Sequence, residues 1–260
     1  YHVWNVKTIR PLEMLPYRFE GPTYSRLGYV YEGITTFFGD YYLLTGGLIT
    51  SERYLQLLEA QIQTHVDNVG RFAYSVADSS IDTWVDGYVK GTPGRKVSIY
   101  NEGCLMAFIL DAKIREATNN KSTLQHLMNR LFYAFGLTHI GYSEKDILSQ
   151  LQQLSGIDFS VLFEQYINAS NGYESLLQEA FSFYGIELRQ EVPAELHKGS
   201  LGIKILTKTE KTYITDIAPG SPSDVGGLAE GDQLVSINGK EITTNLSEVL
   251  SSLKHEVLKL

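Results

Sequence analysis

Hydrophobic residues recur at three- and four-residue intervals through the first part of the chain, the spacing of helices that pack on a core. The repeat runs over residues 27–41 and again over residues 55–66. It predicts amphipathic or buried helices in both places. The same reasoning predicts further helices at about residues 101–117, 122–135, 143–154, 158–168 and 173–184.

Local signals refine this helical pattern. Ser143, followed by Asp146, is typical of a helix start with a polar N-cap, and so is Asp158. Asp111 and Arg115 stand four residues apart, so we expect them to form an ion pair along one helix.

One segment of the first part lacks the helical pattern. Residues 78–96 contain three glycines and a proline and show no sustained period. The segment is therefore predicted to be a long loop, and loops of that length in compact domains are often functional.

The pattern changes near residues 191–195, where we place a domain boundary between residues 1–190 and residues 195–260. Short alternating runs follow at 201–206, 213–217 and 233–237, separated by turn residues. Such runs predict a small β-rich domain. A last apolar stripe predicts a helix at about residues 245–255. The fold class is therefore multi-domain, a mainly helical part followed by a small β domain.

Composition narrows the possible functions. The chain has 260 residues, of which 43% are hydrophobic, enough for one large core or for a larger and a smaller one. A net charge of -8 with scattered Lys and Arg disfavours nucleic-acid binding. No apolar run approaches the ~20 residues that a membrane span needs. Cys104 is the single cysteine and lies among apolar residues, which predicts a buried thiol and no internal disulfide.

His2 and Glu32 are the first candidates for chemistry. A zinc peptidase needs imidazole and carboxylate ligands, with a fourth position left for water. Two histidines four apart on one helix usually supply two of these ligands, and a later helix supplies the third. Glu32 lies in an apolar helical stripe, where a carboxylate needs a partner. The alternative is an exposed terminal histidine, with Glu32 paired to a nearby cation.

The residues around both candidates resemble the glycyl aminopeptidase family, family 61 of the zinc metallopeptidases in the gluzincin clan. In that family an HExxH helix runs into Trp-Asn-x-Lys-x-Ile-Arg-Pro, which matches residues 4–11, and an aromatic-x-x-Glu-Gly-x-Thr motif follows, which matches residues 29–35. The resemblance implies that His2 is the second histidine of HExxH and that Glu32 is the third protein ligand of one zinc ion. Only Tyr1 precedes His2, so the first histidine and the general-base glutamate are expected upstream.

Other residues near these motifs are weaker candidates. Tyr100 begins a helix and resembles the tyrosine of related aminopeptidases that stabilises the oxyanion, and the alternative is a core tyrosine. Lys7 and Arg10 could hold a substrate carboxylate or organise nearby carboxylates, although ion pairs within the fold are favoured for both. Three histidines without a ligand-spaced partner are predicted to be surface or packing residues: His65, His126 and His139.

The β-rich tail resembles PDZ domains, notably those of bacterial proteases, over residues 199–240. The glycine-containing loop before the first strand could present backbone N–H groups to a peptide carboxylate, and the peptide could then add as a strand. We therefore predict a peptide-binding segment formed by Ser200, Leu201, Gly202 and Ile203. The alternative is a PDZ fold that serves only as a packing or lid element.

The two resemblances together imply a zinc-dependent peptidase, an aminopeptidase that releases Gly or Ala from peptide or protein substrates, with a PDZ domain that binds peptide or protein C-termini. The competing interpretation is a non-catalytic peptide-binding scaffold on a peptidase fold. The sequence leaves open the compartment, cytoplasmic or periplasmic, and whether the chain itself binds metal.

Overall fold

A computed structural model describes residues 1–87, 89, 94–191, 193–195 and 197–253. It divides into two compact units, Tyr1–Leu188 and Arg189–Leu260. Within these described residues, the first unit contains helices α1 to α8 and the second contains five strands and two short α-helices, so the predicted fold class is confirmed. The helices of the first unit are α1 (Ile34–Thr45), α2 (Ser51–Asp67), α3 (Val76–Asp86), α4 (Ile99–Ala117), α5 (Leu124–Leu131), α6 (Glu144–Ser155), α7 (Ser160–Leu162) and α8 (Glu174–Phe183).

Helix α4 lies at the centre of the first unit and contacts α1, α2, α3, α5, α6 and α8. Its residues are buried on almost every side, which is expected of a helix that is apolar all round. Cys104 lies on this helix and is buried, as predicted. Asp111 and Arg115 form the predicted pair, with 2.6 Å between Arg115 Nε and Asp111 Oδ2.

A glycine contact sets the distance between α4 and the segment that carries Glu32. Residues Tyr29–Gly33 form one π-helical turn that continues into α1. A Cβ atom added to Gly33 would lie 2.3 Å from Cα of Gly103, so the two backbones touch directly. The candidate ligand Glu32 is therefore held against the most buried helix of the unit.

The segment 78–96 was predicted to be a loop, and this prediction is wrong for its first part, which belongs to α3. Ser75 caps this helix by accepting a hydrogen bond from the Asp78 N–H group at 3.0 Å. The buried face includes Ser79 and Ser80, whose hydroxyls bond backbone groups. A face of small polar residues carries no hydrophobic period. Part of the predicted loop lies outside the described residues.

Polar side chains bind backbone N–H groups at the start of two other helices. Ser143 and Asp146 form the predicted cap of α6, in which each side chain accepts a hydrogen bond from the other residue's backbone. The N-cap position of α7 is Phe159 rather than the predicted Asp158, but Asp158 Oδ1 accepts a hydrogen bond from the N–H group of Ser160, the first residue of α7, at 2.8 Å.

The second unit contains a three-stranded antiparallel sheet in the order β1-β2-β3, with β1 (Ile203–Lys208), β2 (Lys211–Ile217) and β3 (Gln233–Leu234). β1 and β2 are paired from Ile203 with Ile217 to Lys208 with Lys211. Thr209 and Glu210 join them with positive φ, as a tight hairpin turn requires. The other elements are β4 (Ser236–Ile237), β5 (Lys240–Glu241), α9 (Pro222–Val225) and α10 (Leu246–Ser252).

Two predicted strands of the tail differ from the structure. The run 233–237 was predicted as one strand, but it divides into β3 and β4, which belong to different sheets. Val235 lies between them and is exposed. The run 201–206 starts as a strand only at Ile203, because residues His197–Leu201 form a π-helical turn. Among the described residues, no helix combines the length and the apolar character needed to cross a membrane.

Candidate functional site

The candidate site begins with a compact turn formed by residues 1–11. Backbone groups close it: the N–H group of Lys7 donates to His2 O at 3.2 Å, and that of Ile9 donates to Trp4 O at 2.7 Å. The turn contains Val6 at a φ of 94°, a strained backbone conformation for a β-branched residue. Strain of this kind persists only where the surrounding contacts enforce it.

Asn5 joins this turn to the segment that carries Glu32. Its side chain is fully buried, and its Nδ2 group donates to Val30 O at 2.9 Å and to Thr35 Oγ1 at 3.2 Å. A π-helical turn leaves carbonyls without their usual helical partners, and Asn5 binds one of them. Asn5 therefore fixes the position of His2 relative to Glu32.

His2 and Glu32, thirty positions apart in the sequence, meet at the edge of this turn. His2 Nε2 lies 3.3 Å from Glu32 Oε2. On its other side, His2 Nδ1 donates to the backbone carbonyl of Asn5 at 3.1 Å. A backbone acceptor at Nδ1 fixes the tautomer and leaves the Nε2 lone pair facing Glu32, an arrangement common in metal-binding histidines.

The environment of the Glu32 carboxyl group is compatible with cation binding. Burial raises the pKa of its carboxyl group above the usual value, and the adjacent His2 opposes that shift. The side chain keeps 19% of its surface exposed, so the carboxylate is accessible from one side. A carboxylate and an imidazole nitrogen are both ligands that zinc accepts.

The donor set of the described residues fits part of a zinc site. Zinc in peptidases takes three protein ligands and keeps one position open. His2 and Glu32 supply two of them, and no cluster of three His, Cys, Asp or Glu residues occurs in the part of the chain that the structure describes. The pair is thus compatible with two thirds of a ligand set.

A cavity of about 790 Å³ opens beside Glu32. Its volume falls in the range typical of small-molecule sites. Among the described residues, the cations that line it are Lys7 and Arg10. The sequence favoured ion pairs within the fold for both, but neither forms one with any described residue. The other residues that line the cavity are Val6, Met14, Tyr17, Phe19, Thr23, Tyr31, Thr83, Trp84 and Ile99.

Tyr100 is the second residue of α4 and is partly buried against the core of the first unit. Its neighbour Ile99, rather than Tyr100 itself, is among the described residues that line the cavity. The assignment of Tyr100 as an oxyanion donor therefore stays a prediction.

The sequence analysis did not predict a buried polar cluster formed by His65, Glu102 and Tyr173. His65 is fully buried, and its Nδ1 atom lies 2.8 Å from Glu102 Oε2. The hydroxyl of Tyr173 donates to the same carboxylate oxygen. His65 was predicted to be a surface or packing residue, and the surface alternative is wrong. Its partners are 37 and more positions away, so no local spacing could reveal them.

The predicted peptide-binding segment of the second unit has a mixed environment. Leu201 and Ile203 are buried in the core of that unit, and Ser200 is exposed. Gly202 has a φ of 70°, and its carbonyl accepts a hydrogen bond from Ala218 N–H at 2.8 Å. β1 is an edge strand of its sheet in the described residues, so backbone groups on one side are available to an added strand.

Comparisons with known proteins agree with this geometry. The sequence model of the M61 glycyl aminopeptidase family matches residues 1–106, and a PDZ domain model matches residues 213–260. The crystal structure of an aminopeptidase N family protein from Idiomarina loihiensis superposes with a TM-score of 0.87 at 28% identity. It covers 96% of this chain, and the chain covers 44% of that protein.

Shorter similarities connect the chain to two serine proteases. Serine protease HTRA1 of Xenopus laevis is 42% identical over 48 residues, and serine protease HTRA1B of Danio rerio is 41% identical over 46 residues. Each match covers 18% of this chain and spans 10% of the relative. Residues 1–106 thus match the M61 glycyl aminopeptidase family, and residues 213–260 match a PDZ domain.

Proposed function

We propose that this chain is part of a zinc-dependent peptidase, an aminopeptidase that releases small N-terminal residues such as Gly and Ala. In this proposal residues 1–190 belong to the catalytic domain and residues 195–260 to the PDZ domain. The observation that carries it is the contact between His2 Nε2 and Glu32 Oε2, at 3.3 Å beside a large cavity. The family match supports the same assignment.

The roles of the chain's own residues follow from their positions. His2 and Glu32 would hold the zinc ion, and the Asn5 carbonyl would keep the His2 ring oriented through Nδ1. A zinc ion bound there would act as a Lewis acid on the scissile carbonyl and activate a water molecule for attack. Tyr100 would donate a hydrogen bond to the oxygen that becomes negatively charged. The cavity walls would exclude bulk water from the reacting groups.

The PDZ domain would bind the C-terminus of a peptide or protein. The ligand would add as a strand at the free edge of β1, and the loop from Ser200 to Ile203 would bind its carboxylate through backbone N–H groups. Because the side chains of Leu201 and Ile203 are buried, these two residues are expected to contact the ligand through their backbone alone.

Metal content and turnover test the proposal together. Zinc binding and hydrolysis of Gly- and Ala-anilides would be measured for this chain and for the whole protein. In the whole protein, His2→Ala and Glu32→Gln should each lower zinc affinity by about ten-fold or more and abolish turnover. Tyr100→Phe should keep the zinc and lower kcat by about 100-fold.

The matched control is His139→Asn, which removes an exposed imidazole. Asn tolerates the positive φ of 54° at this position, so the variant should behave as the wild type. A whole protein that neither binds zinc nor cleaves these substrates would overturn the proposal and favour the peptide-binding scaffold. Turnover that survives in Glu32→Gln would show that this residue is not a ligand.

A further inference from the structure

The cations that line this cavity among the described residues are Lys7 and Arg10, in a chain of net charge -8. Within the described residues, neither Lys7 nor Arg10 contacts a carboxylate other than by sharing the cavity with Glu32. Elsewhere in the first unit, several cations are paired with acidic residues. These pairs are Arg26 with Asp78, Arg71 with Glu174, Arg95 with Asp82, Lys113 with Glu179 and Arg115 with Asp111.

Arg10 is fixed in place by the strained turn. Its Nε group donates to the carbonyls of Val6 and Lys7, both at 3.1 Å. These bonds use only one of the five N–H groups of a guanidinium. The terminal nitrogens are left for another acceptor, and the side chain is already immobilised before that acceptor arrives. Lys7 is exposed and adds a second, more mobile positive charge.

The rest of the cavity wall is apolar and aromatic. Tyr17 and Phe19 pack edge to face, with ring centroids 4.7 Å apart. Trp84 is held by the hydrogen bond from its Nε1 group to Thr23 O at 2.8 Å. Phe19 is 89% exposed, so its ring offers apolar surface to a ligand in the cavity.

These features constrain which part of a peptide could occupy the cavity. A Gly or Ala residue is far too small to fill about 790 Å³. A free α-amino group would be repelled by the two cations. The cavity therefore suits the portion of the substrate that follows the scissile bond, and its positive charge suits a negative group there.

We propose that this cavity binds a peptide carboxylate on the C-terminal side of the scissile bond through Lys7 and Arg10, with an aromatic or large apolar residue of the substrate against Tyr17, Phe19 and Trp84. The inference rests on the proposed peptidase function and adds its substrate class. The carboxylate is either the C-terminus of a short peptide or an Asp or Glu side chain.

Matched peptides distinguish the two sources of the carboxylate. In the whole protein, kcat/KM would be compared for Gly-Phe and Gly-Phe amide, and for Gly-Phe-Glu amide and Gly-Phe-Gln amide. Charged hydrogen bonds predict a preference of about ten-fold for the acidic member of at least one pair. A preference in the first pair alone identifies the C-terminus, and one in the second pair identifies a side chain.

Variants of Lys7 connect any preference to the cavity. Lys7→Gln should reduce the ratio of kcat/KM for the acidic peptide to kcat/KM for the neutral peptide by about five-fold, and Lys7→Arg should restore this ratio. Lys121→Gln removes an exposed lysine outside the cavity lining, so its ratio should match the wild type. A structural defect would lower kcat/KM equally for both substrates and leave their ratio unchanged.

A binding experiment separates this inference from the proposed function. Calorimetric titration of zinc-free protein with N-acetyl-Gly-Phe and with its amide measures the carboxylate contact without turnover. Tighter binding of the acid, weakened in Lys7→Gln, supports the cavity assignment even if no peptide is cleaved. Equal binding of acid and amide, or a preference unaffected by Lys7→Gln, overturns it even if the protein proves to be a zinc aminopeptidase.

Discussion

Replacing Gly33 by alanine tests the contact that positions Glu32. The backbone at Gly33 has φ -67° and ψ -48°, which alanine adopts easily. Helix propensity alone would therefore favour alanine by about 1 kcal/mol. However, the new Cβ would lie 2.3 Å from Cα and 2.4 Å from C of Gly103. Both are backbone atoms, so no side-chain rotation can relieve the contact.

The size of the destabilisation follows from how far the two segments must move apart. Ordinary contact begins at 3.4 Å, so the two segments must separate by roughly 1 Å. Overpacking of a close-packed core costs about 1–3 kcal/mol, and a backbone-to-backbone contact should be near the upper end. After the propensity gain, we expect Gly33→Ala to lower the free energy of unfolding by about 2 kcal/mol.

Gly39→Ala is the matched control, because Gly39 lies on α1 and a Cβ added there meets nothing within 4 Å. This variant should raise the free energy of unfolding by about 0.5–1 kcal/mol. Urea unfolding would be followed by tryptophan fluorescence. Both tryptophans, Trp4 and Trp84, belong to the first unit, so the signal reports on that unit alone.

The same substitution should also affect the candidate site, because Glu32 directly precedes Gly33. Separation of this segment from α4 would shift the carboxylate relative to His2, so zinc affinity in the whole protein should fall for Gly33→Ala and stay unchanged for Gly39→Ala. If Gly33→Ala proves as stable as Gly39→Ala, the close approach to Gly103 is not real and the reasoning fails.

Three further predictions concern Glu102, Cys104 and Gly202. Glu102→Gln should lower the free energy of unfolding by about 3 kcal/mol, because it disrupts the buried contacts of this carboxylate with His65 and Tyr173, whereas Glu116→Gln on the exposed side of the same helix should change it by under about 0.5 kcal/mol in urea titrations. Burial raises the pKa of the Cys104 thiol to about 12, so alkylation at pH 8 should be slow, should accelerate as pH rises because thiolate forms, and should reach free-thiol rates only in denaturant. Gly202→Ala should weaken C-terminal peptide binding more than Gly220→Ala in calorimetry: both positions have positive φ, but only at Gly202 would a Cβ meet a neighbouring side chain, at 2.4 Å.

Several features of the fold were predictable from local sequence. The α4 helix, the caps of α6 and the Asp111–Arg115 pair all depend on residues within a few positions of each other. Likewise, the motifs around His2 and Glu32 were sufficient to indicate the family whose model matches residues 1–106, because their residues are contiguous in each segment. Local propensity and short-range hydrogen bonds act over a turn or two, so their pattern is visible in the sequence.

Other features depended on distant residues. Helix α3 was missed because two residues of its buried face are serines, Ser79 and Ser80. Their hydroxyls accept hydrogen bonds from the N–H groups of Val97 and Tyr29, which lie outside the helix. Unlike apolar residues, such serines produce no hydrophobic repeat. Val235 shows the opposite case, an apolar residue that is exposed where β3 and β4 separate.

The sequence identified His2 and Glu32 as candidate ligands, because short motifs record which residue types a zinc site needs. Their contact, the anchoring of both by Asn5 and the unpaired cations in the cavity came from the fold alone. The physical reason is that the burial and the charge pairing of a side chain depend on contacts with segments about thirty or more residues away. A spacing rule can describe one helix, but which carboxylate reaches which cation depends on how the helices pack.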